Sequence, residues 1–336
     1  MSTALIINRL LQLIPVVLGV TFIVFGLMYL TPGDPVELMF AGESGVSEAD
    51  LERYRRELGL DQPFLVQYGR FLQGLLRGDL GTSLVQRQPV RDLVLSRLPA
   101  TIELTVAAIL ISLVIAIPVG VIAAVRRYST VDKLGTVGAL VGVSMPDFWV
   151  GLVLILLFGI RWGALPISGR IPWGMEPAHI TGLYTLDALL TRDWPAFAAA
   201  LRHLALPAVT LGTSMAALTM RVTRSSMLEV IHQEYITFAR AKGLSGTQVV
   251  VRHGLRNALI PTVTVVTLNV GVLLGGNMIV ETVFAWPGLG RLVVDSIYNR
   301  DYTVVQAAVL IYAMTYVAMN FLADVLYTVL NPRVRL

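Results

Sequence analysis

The 336-residue sequence contains no cysteine, which excludes a disulfide framework and any cysteine-ligated metal or cluster but identifies no compartment. Lysine is almost as scarce: the only two are Lys133, after Asp132, and Lys242, after Ala241. A phosphate-binding loop of the G-x-x-x-x-G-K-[ST] type needs lysine directly after glycine, so this chain hydrolyses no nucleotide by that route. Its four histidines, His179, His203, His232 and His253, form no H-E-x-x-H pair, and no G-x-S-x-G turn offers a serine nucleophile. A membrane-embedded enzyme is therefore unsupported. Charge is also sparse, at 14% of residues against roughly 25% in an ordinary soluble domain.

What fills the chain instead is apolar: 55% of residues are hydrophobic and the mean hydropathy is +0.70. That is the composition of a membrane protein. The pI near 9.5 raises the question of nucleic acid, but the net charge is only +4 and the basic residues divide by membrane side instead of forming one stripe. Nucleic acid is discarded as a partner.

A hydrocarbon layer of about 30 Å takes roughly 20 helical residues to cross. Six stretches meet that need: Leu10 to Leu30, Thr101 to Val125, Leu134 to Ile160, Leu204 to Val222, Ile260 to Val280 and Val304 to Tyr327. The first is longer than a cleavable signal core and runs into Thr31, Pro32, Gly33 and Asp34 in place of a small-residue cleavage site, so it reads as a retained anchor. Orientation follows from lysine and arginine in the short loops. With the N-terminus inside, inner segments hold twelve of these residues and the two short outer loops hold six. Both termini are expected in the cytoplasm. Segment 31–100 carries eight arginines against ten acidic residues and is too long to obey the rule, which leaves it outside.

The expected organisation is thus a first transmembrane helix over 1–30, a mainly helical extracytoplasmic segment over 31–100, and a core over 101–330 with a cytoplasmic loop over 223–259. In the outer segment, Ser47 followed by Asp50 predicts a helix start and Gly59 a helix end. A second helix from Pro63 would gather Phe64, Tyr68, Phe71, Leu72 and Leu75 on one face. The segment reads either as a cap on the membrane helices or as a docking platform for a delivery protein.

The cytoplasmic loop is richer. Arg221 to Gln233 extends the fourth span, and Glu234 to Lys242 predicts a short helix, acidic at its start, basic at its end, and closed by Gly243. Ser245 and Gln248 have capping-box spacing for a further helix through Val249 to Leu259, with Pro261 at the membrane edge. The result is a short crosswise helix projecting as a knob. Tyr235, Phe238 and Ala239 are expected on one face, and Ala239, Ala241 and Gly243 permit close approach. A loop that only anchors topology explains the charge. It does not explain the aromatics and small residues, which favour a partner-binding surface.

Glu234 to Leu244, E-Y-I-T-F-A-R-A-K-G-L, followed by R-H-G-L-R-N-A-L-I-P at Arg252 to Pro261, resembles the coupling loop of the peptide branch of ABC importer permeases. So do P-G-D-P at Pro32, G-D-L-G at Gly78, S-M-P-D-F-W at Ser144, L-P-I-S-G-R at Leu165, R-H-L-A-L-P at Arg202 and E-T-V-F-A-W-P-G-L-G at Glu281, in order along nearly the whole chain. The general coupling pattern begins Glu-Ala-Ala, whereas counting back from Gly243 gives Thr237, Phe238 and Ala239, so the glutamate position is replaced and Glu234 stands outside that pattern. The chain most resembles the first permease of the dipeptide, oligopeptide and nickel group.

The resemblance implies an all-α type I ABC importer permease fold in a bacterial inner membrane, a second homologous permease, two cytoplasmic ATPases and an extracytoplasmic binding protein. ATP and magnesium would belong to the ATPases, with no cofactor on this chain. It implies ATPase coupling through Glu234, Tyr235, Phe238, Ala239, Arg240, Ala241, Lys242, Gly243 and Leu244. Moving a two-state wall from 1:99 to 99:1 takes roughly 5.5 kcal/mol. Buried contacts at the knob can supply that; exposed ion pairs at up to about 1 kcal/mol each cannot without packing. The implied cargo is a dipeptide, with oligopeptides, glutathione or nickel as alternatives.

Ser144, Asp147, Asn269 and Glu281 are the pathway candidates, because polar groups deep in spans are functional by default. Asp147 follows Pro146, which opens the helix, and reads equally as pore lining or helix packing. Asn269 reads equally as a bridge between helices or a cargo contact. Asp324 reads as structural. Glu281 and Trp286 open an outer turn that either gates the pathway, meets the binding protein, or in the case of Trp286 sits in an interface belt. An ion-coupled secondary transporter is the alternative class, but it calls for broken helices in an inverted repeat, and no such repeat is visible.

Overall fold

Proline and glycine decide where otherwise continuous apolar runs bend or stop. The computed structural model describes residues 3–30, 36 and 47–330. The Pro32 to Pro35 segment, Arg333 and Arg335 lie outside the described residues, as do the side chains of Arg9 and Asp324. Helix α1 is Thr3–Leu30, α2 Glu48–Leu58, α3 Phe64–Leu76, α4 Val90–Val125, α5 Thr130–Ser144, α6 Asp147–Arg161 and α7 Tyr184–Thr191. Then come α8 Trp194–Ile231, α9 Glu234–Ala241, α10 Gly246–Leu274, α11 Met278–Val283, α12 Leu289–Tyr298 and α13 Tyr302–Leu330. Strand pairing among the described residues is confined to an isolated bridge between Thr82 and Pro89.

Among the described residues, four helices are long and apolar enough to cross a membrane: α4, α8, α10 and the Tyr302–Ala323 part of α13. The expected third span is not straight. Helices α5 and α6 meet at 105° and make a fifth span only if taken together. Pro146 causes the break: it holds Met145 extended, at φ −88° and ψ 130°, and brings no N–H of its own. Asp147 therefore begins the second limb instead of sitting mid-helix. The expected fifth span ends early too, at Leu274 instead of Val280, because Gly276 adopts φ +91°. A Cβ there would meet the Gly290 nitrogen at 2.4 Å, so only glycine fits. In α1 the described apolar stretch, Ile14–Gly26, is shorter than a full crossing.

Helices pack through small residues, as they must where lipid removes the hydrophobic drive between them. Along α4 the buried face reads Ala108, Ser112, Ala116, Gly120 and Ala123, while Val106, Leu110 and Val114 point away. This face lies on α8, where Gly212 comes so close that a Cβ would meet the Ala108 carbonyl at 2.9 Å. The main core joins Leu104 and Ala108 of α4 to Leu204, Leu211 and Met215 of α8 and to Phe284 and Trp286. Asp132 of α5 takes both Nε and Nη2 of Arg224 on α8, at 2.6 and 3.1 Å, and fixes the lower half of the same bundle.

The two helices expected within segment 31–100 form. Ser47 and Asp50 make a complete capping box on α2, and Gly59 closes it in the left-handed conformation. On α3, Phe64, Tyr68 and Phe71 pack against Phe22, Phe25 and Tyr29 of α1, with ring centroids 5.1 to 5.6 Å apart. Ser83 hydrogen-bonds Asp301, and Asp301 also accepts from the Leu84 nitrogen, tying this segment to the start of α13.

Candidate functional site

At one end of the bundle α8 runs on as a stem, and α9 lies between it and α10. Ile236 and Ala239, three residues apart and hence on one face, are buried against Val249 and Val230. Ala239 is only 6% exposed, so it braces the knob from inside and does not share the outer face with Tyr235 and Phe238. The reason is which edge is covered: Val249 and Val230 close over Ile236 and Ala239, while Phe238, about 100° round the helix from Ala239, stays on the open side. Phe238 is 61% exposed and Tyr235 40%. Each has a hold: Lys242 Nζ sits 4.5 Å from the Phe238 ring centroid, and Asn257 Nδ2 donates to the Tyr235 hydroxyl at 2.8 Å. Glu234, Arg240, Ala241, Lys242, Gly243 and Leu244 are exposed around them.

Two local devices fix this shape. Gly243 turns the chain at φ +79°, with open space where a Cβ would stand. Ser245 and Gln248 then form the full capping box that starts α10. The first turns of α10, Val249–Leu255, widen to π-helical spacing before regular helix resumes at Arg256, a feature with no obvious signal in the sequence.

In the middle of the bundle, Asp147 and Asn269 come together. They line a cavity of about 250 Å³ with Ser214 and Asn277 as further polar groups and Leu211, Met215 and Leu218 among its apolar walls. Ser144 is not in its lining; the residue is exposed and its hydroxyl donates to the Leu140 carbonyl at 2.8 Å. Ser214 and Asn277 are the polar lining residues that reading the sequence missed; Asn277 also caps α11, its side chain accepting from the Val280 nitrogen at 2.9 Å. The signal for Ser214 was the spacing of Leu211, Ser214, Met215 and Leu218, one stripe of a helix.

Glu281 faces the protein interior and is fully buried. Its carboxylate accepts from Thr101 Oγ1 at 3.0 Å and from the Arg291 nitrogen at 2.9 Å, at the N-terminal end of α12. Burial pushes this carboxyl up to about 7, against the pull of those donors. Trp286 is 1% exposed and donates Nε1 to the Ala100 carbonyl at 2.9 Å, so it is not part of an interface belt. Beside them Arg170 meets Glu103 at 2.6 Å, donates to the Gly182 carbonyl at 2.7 Å, and stacks 3.8 Å above Tyr184. Together these groups bolt the α6–α7 loop and the Glu281 turn to the top of α4.

Residues 116–336 match the family described as binding-protein-dependent transport system inner membrane component, and residues 2–105 match its N-terminal counterpart. The chain belongs to this family. It is 44% identical over 333 residues, 98% of each chain, to the dipeptide transport system permease protein DppB of Escherichia coli. It is 46% identical over 332 residues, again 98% of each, to the di/tripeptide transport system permease protein DppB of Pseudomonas aeruginosa. It is 40% identical over 330 residues, 98% of each, to the glutathione transport system permease protein GsiC of Salmonella paratyphi A. Its fold matches a chain of the MetNI methionine ABC transporter, with a TM-score of 0.53 at 20% identity over 71% of this chain and 96% of that one. This member is a multi-pass inner-membrane permease subunit with the type I ABC permease fold.

Proposed function

We propose that the chain is one wall of an ATP-driven importer of small peptides, dipeptides first, and that it works by alternating access. The observation that carries this reading is the 44 to 46% identity to dipeptide and di/tripeptide permeases across 98% of their lengths. In this reading the chain crosses the membrane six times with both ends in the cytoplasm, α1 being the first crossing. Residues 31–100 form the extracytoplasmic segment and 101–330 the core. A second, homologous permease completes the pathway, an extracytoplasmic binding protein delivers cargo, and two cytoplasmic ATPases hold the ATP and magnesium.

Coupling runs through α9. Phe238, Tyr235, Leu244 and the exposed Glu234, Arg240, Ala241, Lys242 and Gly243 meet an ATPase, while Ala239 and Ile236 transmit the contact to the stem. Asp147 and Asn269 face the cargo. Glutathione is a second reading, favoured by 40% identity to a glutathione permease. The test is uptake by the assembled importer in proteoliposomes with labelled dipeptide, glutathione and nickel(II). Dipeptide accumulation that requires ATP supports the proposal. Glutathione uptake without dipeptide uptake transfers the cargo to the second reading, and accumulation without ATP returns the chain to secondary transport.

A further inference from the structure

Resting on the reading of this chain as a peptide permease, we infer that the cavity at Asp147 is a transit site for the ammonium end of the cargo. Three elements build it. Leu211, Ser214, Met215 and Leu218 form one stripe of α8, Asn269 projects from α10, and Asp147 stands at the break between α5 and α6. No described residue forms a hydrogen bond or ion pair with the Asp147 carboxylate. Among the described residues no cationic side chain lines the cavity either. An unpaired, half-buried carboxylate that faces a largely apolar cavity is a ready partner for a cation.

The rest of the lining suits one end of a peptide. Asn269 and Ser214 offer neutral oxygens beside the carboxylate, so a primary ammonium can donate to more than one acceptor. Leu211, Met215 and Leu218 face the neighbouring side chain with flexible apolar surface, which adapts to many shapes and specifies few. The cavity is an open recess of about 250 Å³ in one wall, so it meets one end of the cargo and reads the charge that all unblocked peptides share.

The experiment compares wild type, Asp147→Glu, Asp147→Asn and Asn269→Leu in the assembled importer, following ATP-dependent dipeptide uptake and binding-protein-stimulated ATP hydrolysis together. A hydrogen bond to a charged group is worth about ten- to a hundredfold. The expected result is a loss of that size in uptake for Asp147→Asn, recovery of most of it in Asp147→Glu, a smaller loss for Asn269→Leu, and stimulated hydrolysis within about twofold of wild type throughout. If Asp147→Asn transports like wild type, the inference is overturned. It is equally overturned if uptake and stimulated hydrolysis fall in parallel, since Asp147 then only supports the fold at the α5–α6 break. Should wild type itself fail to take up dipeptide, it is the underlying reading of the cargo that fails.

Discussion

Asn257 on α10 donates its amide to the hydroxyl of Tyr235 on α9 at 2.8 Å, across the gap between the projecting helix and the base of a membrane span. The bond crosses a surface that is otherwise held by Ile236, Ala239 and Val249, so it sets the angle of α9 more than its existence. A neutral hydrogen bond contributes about 0.5 to 1.5 kcal/mol. Tyr235→Phe and Asn257→Ala are each expected to lower uptake about two- to tenfold with the complex still assembled. The double variant should be no worse than either single one, because they remove the same contact. Uptake assays of the three variants check this, and additive losses would contradict it.

Gly243→Asp should separate folding from coupling. The left-handed turn at φ +79° costs a residue with a Cβ roughly 1 kcal/mol, and nothing lies within 4 Å of that Cβ. The subunit is therefore expected in the membrane at near-normal abundance. Uptake should nevertheless be lost if, as proposed, the new side chain stands on the surface that meets the ATPase. Immunoblotting of membranes and a transport assay read the two effects separately.

Arg170 and Glu103 form a buried pair, 8% and 4% exposed, in which Thr185 also donates both its nitrogen and its hydroxyl to Glu103. Removing one partner of such a pair leaves a buried charge and costs about 3 to 5 kcal/mol. Arg170→Met should thus lower the melting temperature of the purified complex sharply. Arg170→Met with Glu103→Met should recover part of the loss, which calorimetry or a thermal-shift assay in detergent will show.

The Glu281 carboxyl, raised from 4.5 to about 7 by burial, binds its proton more tightly folded than unfolded. Its contribution to stability is therefore complete below pH 4.5 and is lost as pH rises through about 7. Melting temperatures measured across that window should fall with rising pH more steeply in wild type than in Glu281→Gln, whose amide does not titrate. Identical slopes would show that the carboxyl is already ionised throughout.

Local grammar made much of this legible in the sequence. The capping boxes at Ser47 and Ser245, the closing glycines Gly59 and Gly243, the aromatic face of α3 and the short helix α9 each depend on residues within a few positions of one another. Pairings across the chain were not legible. Glu103 lies 67 residues from Arg170, and Thr101 lies 180 from Glu281, so nothing nearby in sequence announced that these groups would be buried together. The inward turn of Ala239 escaped for a different reason. Periodicity defines which residues share a face, but which face is covered depends on Val249, which arrives from the next helix.

Below Pro207, helix α8 continues without interruption to Ile231, a run that at 1.5 Å per residue reaches about 36 Å. Its upper part carries Leu211, Ser214, Met215 and Leu218 on the cavity, and its foot abuts α9. An unbroken run of this kind joins the α9 contact at Val230 to the cavity wall at Leu211 through a single helix, so a tilt imposed at one end would be carried to the other without an intervening hinge.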